Sequence, residues 1–275
     1  MERRAAVLGS PIAHSLSPAL HRAAYDAIGL RGWRYDAIEC DEQGLPGLLA
    51  GLGPEWAGLS LTMPLKRAVL PLLDTVSDLA AAVGGVNTVV LSGGARHGHN
   101  TDVHGIVAAL ADEGVTAPRS AAVLGGGATA ASALGALREM GLREAVLVVR
   151  DRSRAGETEQ VAERLGVTLK VCSFAGLGAL GTDLVISTLP PGAADQVTDL
   201  VRGVPAVFDV VYAPWPTSLA HAAAQAGATV IGGFGMLVHQ AVRQVELYTG
   251  RTGVPVPPVR AGGEAEILRR ASLTR

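Results

Sequence analysis

The sequence predicts an α/β fold in two domains, with parallel strands connected by crossover helices. Short apolar runs rich in β-branched residues alternate with helical patterns along the chain, which is typical of βαβ units. A glycine-rich turn at 125–130 directly follows one of these runs and opens a helical pattern. The chain has 275 residues, of which 48% are hydrophobic, so it can form two cores of ordinary size.

The first part of the chain is predicted to contain five strands, at 5–8, 33–38, 58–62, 87–91 and 95–99. The last two are joined by Ser92-Gly93-Gly94, a sequence that favours a tight turn between strands. A helix is predicted to begin with Ser17 as its N-cap and Pro18 in its first turn, and to end near Gly29.

From residue 121 the pattern resets into a second α/β unit. Its strands are predicted at 121–124, 145–149, 167–171, 183–187, 204–210 and 229–231. Helices are expected between these strands, then over 236–248, and again after the proline-rich segment VPVPP at 254–258.

Composition excludes several classes of function. The net charge is −2, and the sequence has no long basic run, so neither nucleic acid nor an anionic membrane is an expected partner. There is no uninterrupted apolar stretch of about 20 residues and no signal-like N-terminus, so we expect a cytoplasmic protein. Cys40 and Cys172 are predicted to be reduced thiols, and the histidines lack metal-site spacing, so no metal is predicted.

The glycine-rich turn is a candidate dinucleotide site. It comprises Gly125, Gly126, Gly127, Ala128 and Thr129. Glycines let the backbone approach a pyrophosphate closely, and the N–H groups at the start of the following helix favour its negative charge. A glycine-rich turn that binds nothing is the alternative, but the strand–turn–helix context favours the dinucleotide.

The end of the next predicted strand bears on the choice of dinucleotide. Here the sequence has Arg150, Asp151, Arg152 and Ser153. An acidic residue at this point usually binds the ribose diol of NAD, whereas arginines and a hydroxyl suit the additional phosphate of NADP. We predict NADP, with NAD left open by Asp151; a solvated surface turn is the third interpretation.

Two charged residues are candidates for proton transfer. Lys66 follows a predicted strand end, in the first turn of a helix, where a partly desolvated lysine can act as a general acid–base. Asp102 begins another predicted helix and is a candidate to hold both the lysine and a substrate hydroxyl. Each has a simpler interpretation, because lysines are common on helix surfaces and aspartates are common helix caps.

Three further polar residues are candidates for substrate binding. Ser15 and Ser17 offer two hydroxyls beside a predicted helix start, a combination that suits a carboxylate. Asn87 follows two glycines and is either a substrate contact or an ordinary turn residue. A capped turn explains the two serines equally well.

Seven motifs together resemble the shikimate dehydrogenase family, in the family's order and over nearly the whole chain. They are SPIAHSLSP at 10–18, GLSLTMPLK at 58–66, GGVNT at 84–88, HNTDVHG at 99–105, GGGATA at 125–130, DVVYAPWPT at 209–217 and GGFGMLVHQA at 232–241. The resemblance implies reversible, NADPH-dependent reduction of 3-dehydroshikimate to shikimate in aromatic amino-acid biosynthesis.

The resemblance also implies roles for individual residues. Ser15 and Ser17 would bind the substrate carboxylate, and Lys66 and Asp102 would form the catalytic pair. The residues expected to contact the ring or its hydroxyls are Thr62, Asn87, Tyr212 and Gln240. Those expected near the nicotinamide half of the cofactor are Thr188, Val210, Gly233 and Met236.

The architecture implied is an N-terminal α/β substrate domain followed by a Rossmann-like NADP-binding domain. The first would span residues 1–105 and be completed by helices within 237–275, and the second would span 106–236. The active site would lie in the interdomain cleft. A monomer and a homodimer are both compatible with the sequence.

Two departures from the family pattern leave alternatives open. Asp151-Arg152-Ser153 replaces the usual Asn-Arg-Thr, and Ser60 replaces an asparagine, which predicts a hydrogen bond left to water. A quinate/shikimate or aminoshikimate dehydrogenase that uses NAD is the nearest rival. A non-catalytic dinucleotide sensor is more remote, because a sensor has no need of a proton-transfer pair.

Overall fold

The computed structural model describes residues 2–174 and 180–273. The chain divides into two compact units, each formed from more than one segment. The first unit comprises Met1–Ala81, Gly85–Thr101 and Leu237–Arg275. The second comprises Ala82–Gly84 and Asp102–Met236.

Six strands form the sheet of the first unit. They are β1 (Arg3–Gly9), β2 (Trp33–Glu39), β3 (Trp56–Leu61), β4 (Thr75–Val76), β5 (Thr88–Ser92) and β6 (Ala95–His99). The helices that begin in the first hundred residues are α1 (Ser17–Ala27), α2 (Leu45–Ala50), α3 (Leu65–Ala68) and α4 (Asp78–Val83). The sequence analysis did not predict β4 or α2, both of which are short.

The first sheet has the strand order β2-β1-β3-β5-β6-β4. Strands β1, β2 and β3 are parallel, as predicted, but β5 runs antiparallel to β3 and β6 antiparallel to β5, so the sheet is mixed. The predicted hairpin over 92–94 is confirmed, because Gly93 and Gly94 both have positive φ and join β5 to β6.

Helix α1 begins one residue earlier than predicted. Ser17 is its first helical residue and Leu16 its N-cap, so the prediction of Ser17 as the cap is wrong. The hydroxyl that serves this end of the helix belongs to Ser15, whose Oγ accepts the Ser17 N–H at 3.2 Å. The helix ends as predicted before Gly29, which has a φ of 72°.

The second unit contains the other six strands. They are β7 (Ala121–Leu124), β8 (Glu144–Val149), β9 (Thr168–Ser173), β10 (Leu184–Ser187), β11 (Ala206–Asp209) and β12 (Thr229–Gly232). The remaining helices are α5 (Asp102–Asp112), α6 (Ala128–Glu139), α7 (Gly156–Leu165), α8 (Ser218–Gln225), α9 (Gly233–Thr249) and α10 (Val256–Leu273). Helix α9 starts in the second unit and continues into the first.

The second sheet is entirely parallel and has the order β12-β11-β10-β7-β8-β9. Numbered within the unit, this is the 3-2-1-4-5-6 order of the dinucleotide-binding α/β fold. The order reverses between β7 and β10, and ligands of such sheets bind beyond the carboxyl ends of the strands at that point. The predicted α/β class and the Rossmann-like unit are therefore confirmed.

Each unit has its own apolar core, and both cores are rich in Leu, Val and Ala. In the first unit α10 packs against α1, and Gly262 lets the two backbones approach closely, because a Cβ there would overlap the Cβ of Ala23. Across residues 2–174 and 180–273 no helix is both long and apolar enough to cross a membrane.

Candidate active site

The predicted site residues divide between the two units. Ser15, Ser17, Thr62, Lys66, Asn87 and Gln240 belong to the first unit. Asp102, Tyr212 and all the predicted cofactor residues belong to the second. The two sets are therefore described separately, and the pairing of Lys66 with Asp102 stays a prediction.

In the first unit, strand pairing brings the segments that carry Thr62, Lys66 and Asn87 together. The N–H of Thr62 donates to the Leu8 carbonyl at the end of β1, at 2.9 Å. The Asn87 carbonyl accepts the N–H of Leu61 at 2.8 Å, and the Lys66 carbonyl accepts the N–H of Val86 at 2.8 Å. Thr62 and Lys66 are partly exposed, whereas Asn87 is 2% exposed.

Asn87 is fixed by both ends of its amide. Its Oδ1 accepts the backbone N–H of Thr101 at 2.7 Å and the Thr88 hydroxyl at 2.8 Å. Its Nδ2 donates to Thr101 Oγ1 at 3.0 Å. Within the first unit, this pairing fixes the backbone of Thr101 against the turn that carries Asn87.

A buried polar network lies directly behind these residues in the first unit. Ser60 Oγ is within hydrogen-bonding distance of the Tyr35 hydroxyl at 2.5 Å, Gln244 Oε1 at 2.8 Å and the Tyr248 hydroxyl at 2.9 Å. Gln244 Nε2 donates in turn to the Asn87 carbonyl at 3.3 Å. The expectation that Ser60 leaves a hydrogen bond to water is wrong, since three side chains surround its hydroxyl.

Burial makes the phenols of this network weak acids. Desolvation raises the pKa of both Tyr35 and Tyr248 well above the usual value, since a phenolate has no water to stabilise it there. Both rings therefore stay neutral and act as fixed hydrogen-bonding groups. Sequence periodicity contained a signal for part of the network, because Gln244 lies four residues after Gln240 and shares its face of α9.

In the second unit, the glycine-rich turn and Thr188 meet where the strand order reverses. Gly125 has a φ of 104°, and a Cβ there would lie 2.6 Å from Thr188 Oγ1. Thr188 Oγ1 donates to the Leu124 carbonyl at 2.8 Å, which fixes the end of β10 beside the end of β7. Only glycine suits position 125, both for its φ and for the space.

Helix α6 begins immediately after this turn, with Gly127 as its N-cap. No side chain in the described part of the chain caps α6 there, and the first N–H groups of any helix lack partners within it. Gly127 is exposed, and a Cβ built there would meet nothing within 4 Å. The donor groups and the open space fit a bound pyrophosphate.

The loop after β8 carries Arg150, Asp151, Arg152 and Ser153, all exposed. Asp151 Oδ1 accepts the backbone N–H of Ser153 at 2.9 Å, so this carboxylate caps the short 3₁₀ turn over Arg152–Arg154. Arg152 Nη1 donates to the Val171 carbonyl at 3.1 Å, which anchors the guanidinium beside the end of β9.

The segment that carries Tyr212 is held by a buried carboxylate. Asp209 is 1% exposed; its Oδ2 accepts the Thr217 hydroxyl at 2.7 Å and its Oδ1 the N–H of Val211 at 3.3 Å. Burial raises the pKa of Asp209, and these hydrogen bonds act in the opposite direction. The carboxylate closes the loop from β11 to α8 and so fixes the backbone around Tyr212.

Val210 and Gly233, both predicted near the nicotinamide, are in direct contact. The N–H of Gly233 donates to the Val211 carbonyl at 3.2 Å, and any Cβ at position 233 would overlap the Val210 carbonyl group. Met236, one turn further along α9, is 8% exposed. The structure thus brings two of the four predicted nicotinamide-side residues into contact.

The Gly233→Ala variant is expected to be less stable by at least about 1–3 kcal/mol, the cost of forcing a group into a filled site. The obstacle is backbone, the Val210 carbonyl, which cannot rotate away as a side chain would. Urea unfolding measures the change. Gly156→Ala is the matched control, because a Cβ at the start of α7 meets nothing within 4 Å; equal stability of the two variants would contradict the argument.

The described residues contain no cluster of three or more His, Cys, Asp or Glu able to hold a metal ion. A parallel sheet of this topology, with a glycine turn at its reversal point, defines the class of dinucleotide-binding α/β proteins. Residues 7–89 match the shikimate dehydrogenase substrate binding domain, and residues 233–261 match the shikimate 5'-dehydrogenase C-terminal domain. The chain belongs to the shikimate dehydrogenase family.

Individual members of the family are similar to this chain over nearly its whole length. The NADP(+) shikimate dehydrogenase of Synechococcus sp. (strain JA-3-3Ab) is 35% identical, with 96% of this chain and 94% of that protein covered. The crystal structure of Mycobacterium tuberculosis shikimate dehydrogenase is 40% identical in sequence and has a TM-score of 0.88. The match covers 96% of this chain and 99% of that one. The Thermus thermophilus enzyme, solved with NADP(H) and shikimate, is 33% identical and has a TM-score of 0.85. Here the match covers 96% of this chain and 99% of that one.

Proposed function

We propose that this enzyme catalyses the reversible reduction of 3-dehydroshikimate to shikimate with NADPH, a step of chorismate and aromatic amino-acid biosynthesis. The observation that carries the proposal is the full-length similarity to shikimate dehydrogenases, one of them solved with NADP(H) and shikimate. The first unit, with residues 237–275, would bind the substrate, and the second unit would bind NADP. The sequence analysis placed the change of domain at 105/106, whereas the two compact units change between Thr101 and Asp102.

The substrate carboxylate would bind to Ser15 and Ser17. Ser15 is partly exposed and accepts the Ser17 N–H, so one turn holds the two serines together, although Ser17 itself is only 6% exposed. The ring and its hydroxyls would contact Thr62, Asn87, Gln240 and Tyr212. Of these, Asn87 is held most firmly, because its contacts with Thr88 and Thr101 leave its side-chain amide one orientation.

Lys66 and Asp102 would form the catalytic pair. In the direction of reduction, the Lys66 ammonium donates a proton to the substrate carbonyl oxygen and its charge stabilises the developing alkoxide. In the reverse direction, the neutral amine takes the proton from the hydroxyl. Asp102 would hold the ammonium and orient the reacting hydroxyl.

The second unit would hold NADP, which supplies or accepts the hydride when bound. Gly125 to Thr129 and the N-terminus of α6 would bind the pyrophosphate, through Gly125, Gly126, Gly127, Ala128 and Thr129. The 2′-phosphate of the ribose would be bound by Arg150, Arg152 and Ser153. Thr188, Val210, Gly233 and Met236 would border the nicotinamide. The two arginines beside Asp151 support NADP over NAD, because they can pair with the 2′-phosphate that NAD lacks.

The Arg152→Ala variant is expected to raise the KM for NADP about tenfold and to change the KM for NAD much less. One charge-assisted hydrogen bond to a phosphate is worth roughly that factor, and NAD lacks the phosphate. Steady-state kinetics with each cofactor measure the effect. Arg143→Ala is the control, because Arg143 is also exposed but lies just before β8, whereas Arg152 follows that strand. Equal losses with both cofactors would remove Arg152 from the phosphate site.

Turnover measured on shikimate, quinate and aminoshikimate with NADP and with NAD tests the proposed function. We expect the highest kcat/KM for shikimate with NADP. A tenfold preference for quinate with NAD would replace the proposal with the rival dehydrogenase. Binding of shikimate and NADP without any change at the nicotinamide absorbance band would favour the sensor instead.

We also propose that the enzyme acts in the cytoplasm as a monomer or a homodimer. Sedimentation of the purified enzyme would assign the oligomeric state.

A further inference from the structure

A salt-bridged arginine at the end of the chain binds the loop that carries Ser15. Arg270, on α10, donates from Nη1 to the His14 carbonyl at 2.6 Å and from Nη2 to the Ser15 carbonyl at 2.8 Å. Arg270 and Ser15 are 255 positions apart in the sequence. A guanidinium that bonds two successive carbonyls through separate nitrogens fixes both the position and the rotation of that peptide.

The arginine is itself held in place. Its Nε donates to Glu266 Oε1 at 2.7 Å, one turn earlier on α10. Glu266 also accepts two hydrogen bonds from Arg269, both at 2.7 Å, and these bonds together with that from Arg270 lower the pKa of the carboxyl to about 2. Glu266 is therefore ionised at any pH at which the enzyme works, and it orients Arg270 throughout.

Helix α10, which carries Arg270, is held in place by its packing against α1. Gly262, Glu266 and Arg270 are spaced by four residues and so lie on one face of α10. Gly262 is pressed against Ala23 of α1, while Arg270 reaches the loop that precedes α1. The position of the guanidinium is thus set by the packing of two helices.

The loop has a second anchor at its other end. Glu39, at the end of β2, accepts the Ser10 hydroxyl at 2.6 Å and the N–H of Ile12 at 2.9 Å. Arg270 is an anchor, from another segment, for the part of the loop between Ile12 and Ser17. Glu39 holds the beginning of the loop, and Arg270 holds the part that presents the Ser15 hydroxyl.

We propose that Arg270 is a positioning residue for recognition of the substrate carboxylate. It acts through the backbone of His14 and Ser15, and it adds a positive charge beside the turn that would bind the anion. The inference rests on the proposed function, in which Ser15 and Ser17 bind the carboxylate of shikimate. Because Arg270 bonds to the loop and has no part in proton or hydride transfer, its loss affects binding and leaves the chemical step intact.

The Arg270→Ala enzyme is expected to show a KM for shikimate raised about tenfold or more, with kcat within about threefold and the KM for NADP unchanged. Arg269→Ala is the matched control, because Arg269 has the same charge and the same glutamate partner but no bond to the loop. Arg270→Lys keeps the charge but not the two-carbonyl geometry, so it should recover only part of the affinity. Circular dichroism and urea unfolding of each variant verify folding.

Shikimate methyl ester, which lacks the anionic carboxylate, supplies the readout that a merely structural role would not move. The wild-type preference for shikimate over the ester should shrink about tenfold in Arg270→Ala and stay the same in Arg269→Ala. A uniform loss on both substrates, or equal effects of the two alanine variants, would overturn the inference. If wild-type enzyme turns over neither substrate, the proposed function itself fails, which is a distinct result.

Discussion

The Lys66→Ala variant is expected to oxidise shikimate at least about 100-fold more slowly than the wild-type enzyme, with the KM changed by less than about threefold. Loss of a general acid–base usually costs 10²–10⁴ in rate. The effect should fall on kcat, because the proton moves only as the carbon–oxygen bond changes order, and ground-state binding can rely on Ser15, Ser17 and Asn87. Steady-state kinetics with shikimate and NADP measure both constants.

Arg67→Ala controls for the loss of one positive charge on α3, and it should keep kcat within about twofold. A small primary amine added to Lys66→Ala should restore part of the rate, since it replaces the missing proton carrier. If the KM rises tenfold while kcat holds, Lys66 binds the substrate and another group moves the proton. That result would leave the family assignment intact and overturn the role proposed for this residue.

The sequence could predict those parts of the fold whose signals are local. The turn that starts at Gly125 was predictable because a strand, a positive-φ glycine and a helix start follow one another within ten residues. The hairpin at Gly93-Gly94 was predictable for the same reason. Helix α2 and strand β4 were missed because six and two residues, respectively, are too few to show a period.

The contacts that organise the candidate site could not be predicted in this way. Ser60 and Gln244 bond across 184 positions, and nothing in the period of β3 or α9 indicates that these two elements meet. The same holds for Arg270 and the Ser15 loop. Motif order identified the polar residues of the family pattern, but Gln244 and Arg270, which hold parts of the site in place, lie outside all seven motifs.

The buried contacts of His21 make the stability of the fold depend on pH. The side chain is fully buried, and its ring stacks on Tyr35 with the centroids 3.8 Å apart. Its Nδ1 is 2.9 Å from the Ser17 carbonyl, which only accepts, so the neutral ring carries its proton on Nδ1. Burial lowers the pKa of His21 to about 3, although the hydrogen bond to the Ser17 carbonyl and the nearby side chain of Gln244 act against this shift.

The enzyme is therefore expected to lose stability as the pH falls below 6.5, by up to about 1.4 kcal/mol per pH unit from His21 alone. Below 6.5 the unfolded chain takes up a proton on this ring and the folded chain does not until about pH 3, so acid favours unfolding over that window. Urea unfolding between pH 7.5 and 5 measures the slope.

The His21→Asn variant, whose amide can still donate to Ser17, should be less stable at pH 7.5 because it loses the stacked ring. Below pH 6.5, however, its free energy of unfolding should fall by about 1.4 kcal/mol less per pH unit than that of the wild type. His221→Asn, at an exposed position, should keep the wild-type slope. Parallel slopes for wild type and His21→Asn would mean that the buried ring is protonated in the folded state, and that the polar network around Ser60 opens to admit the charge.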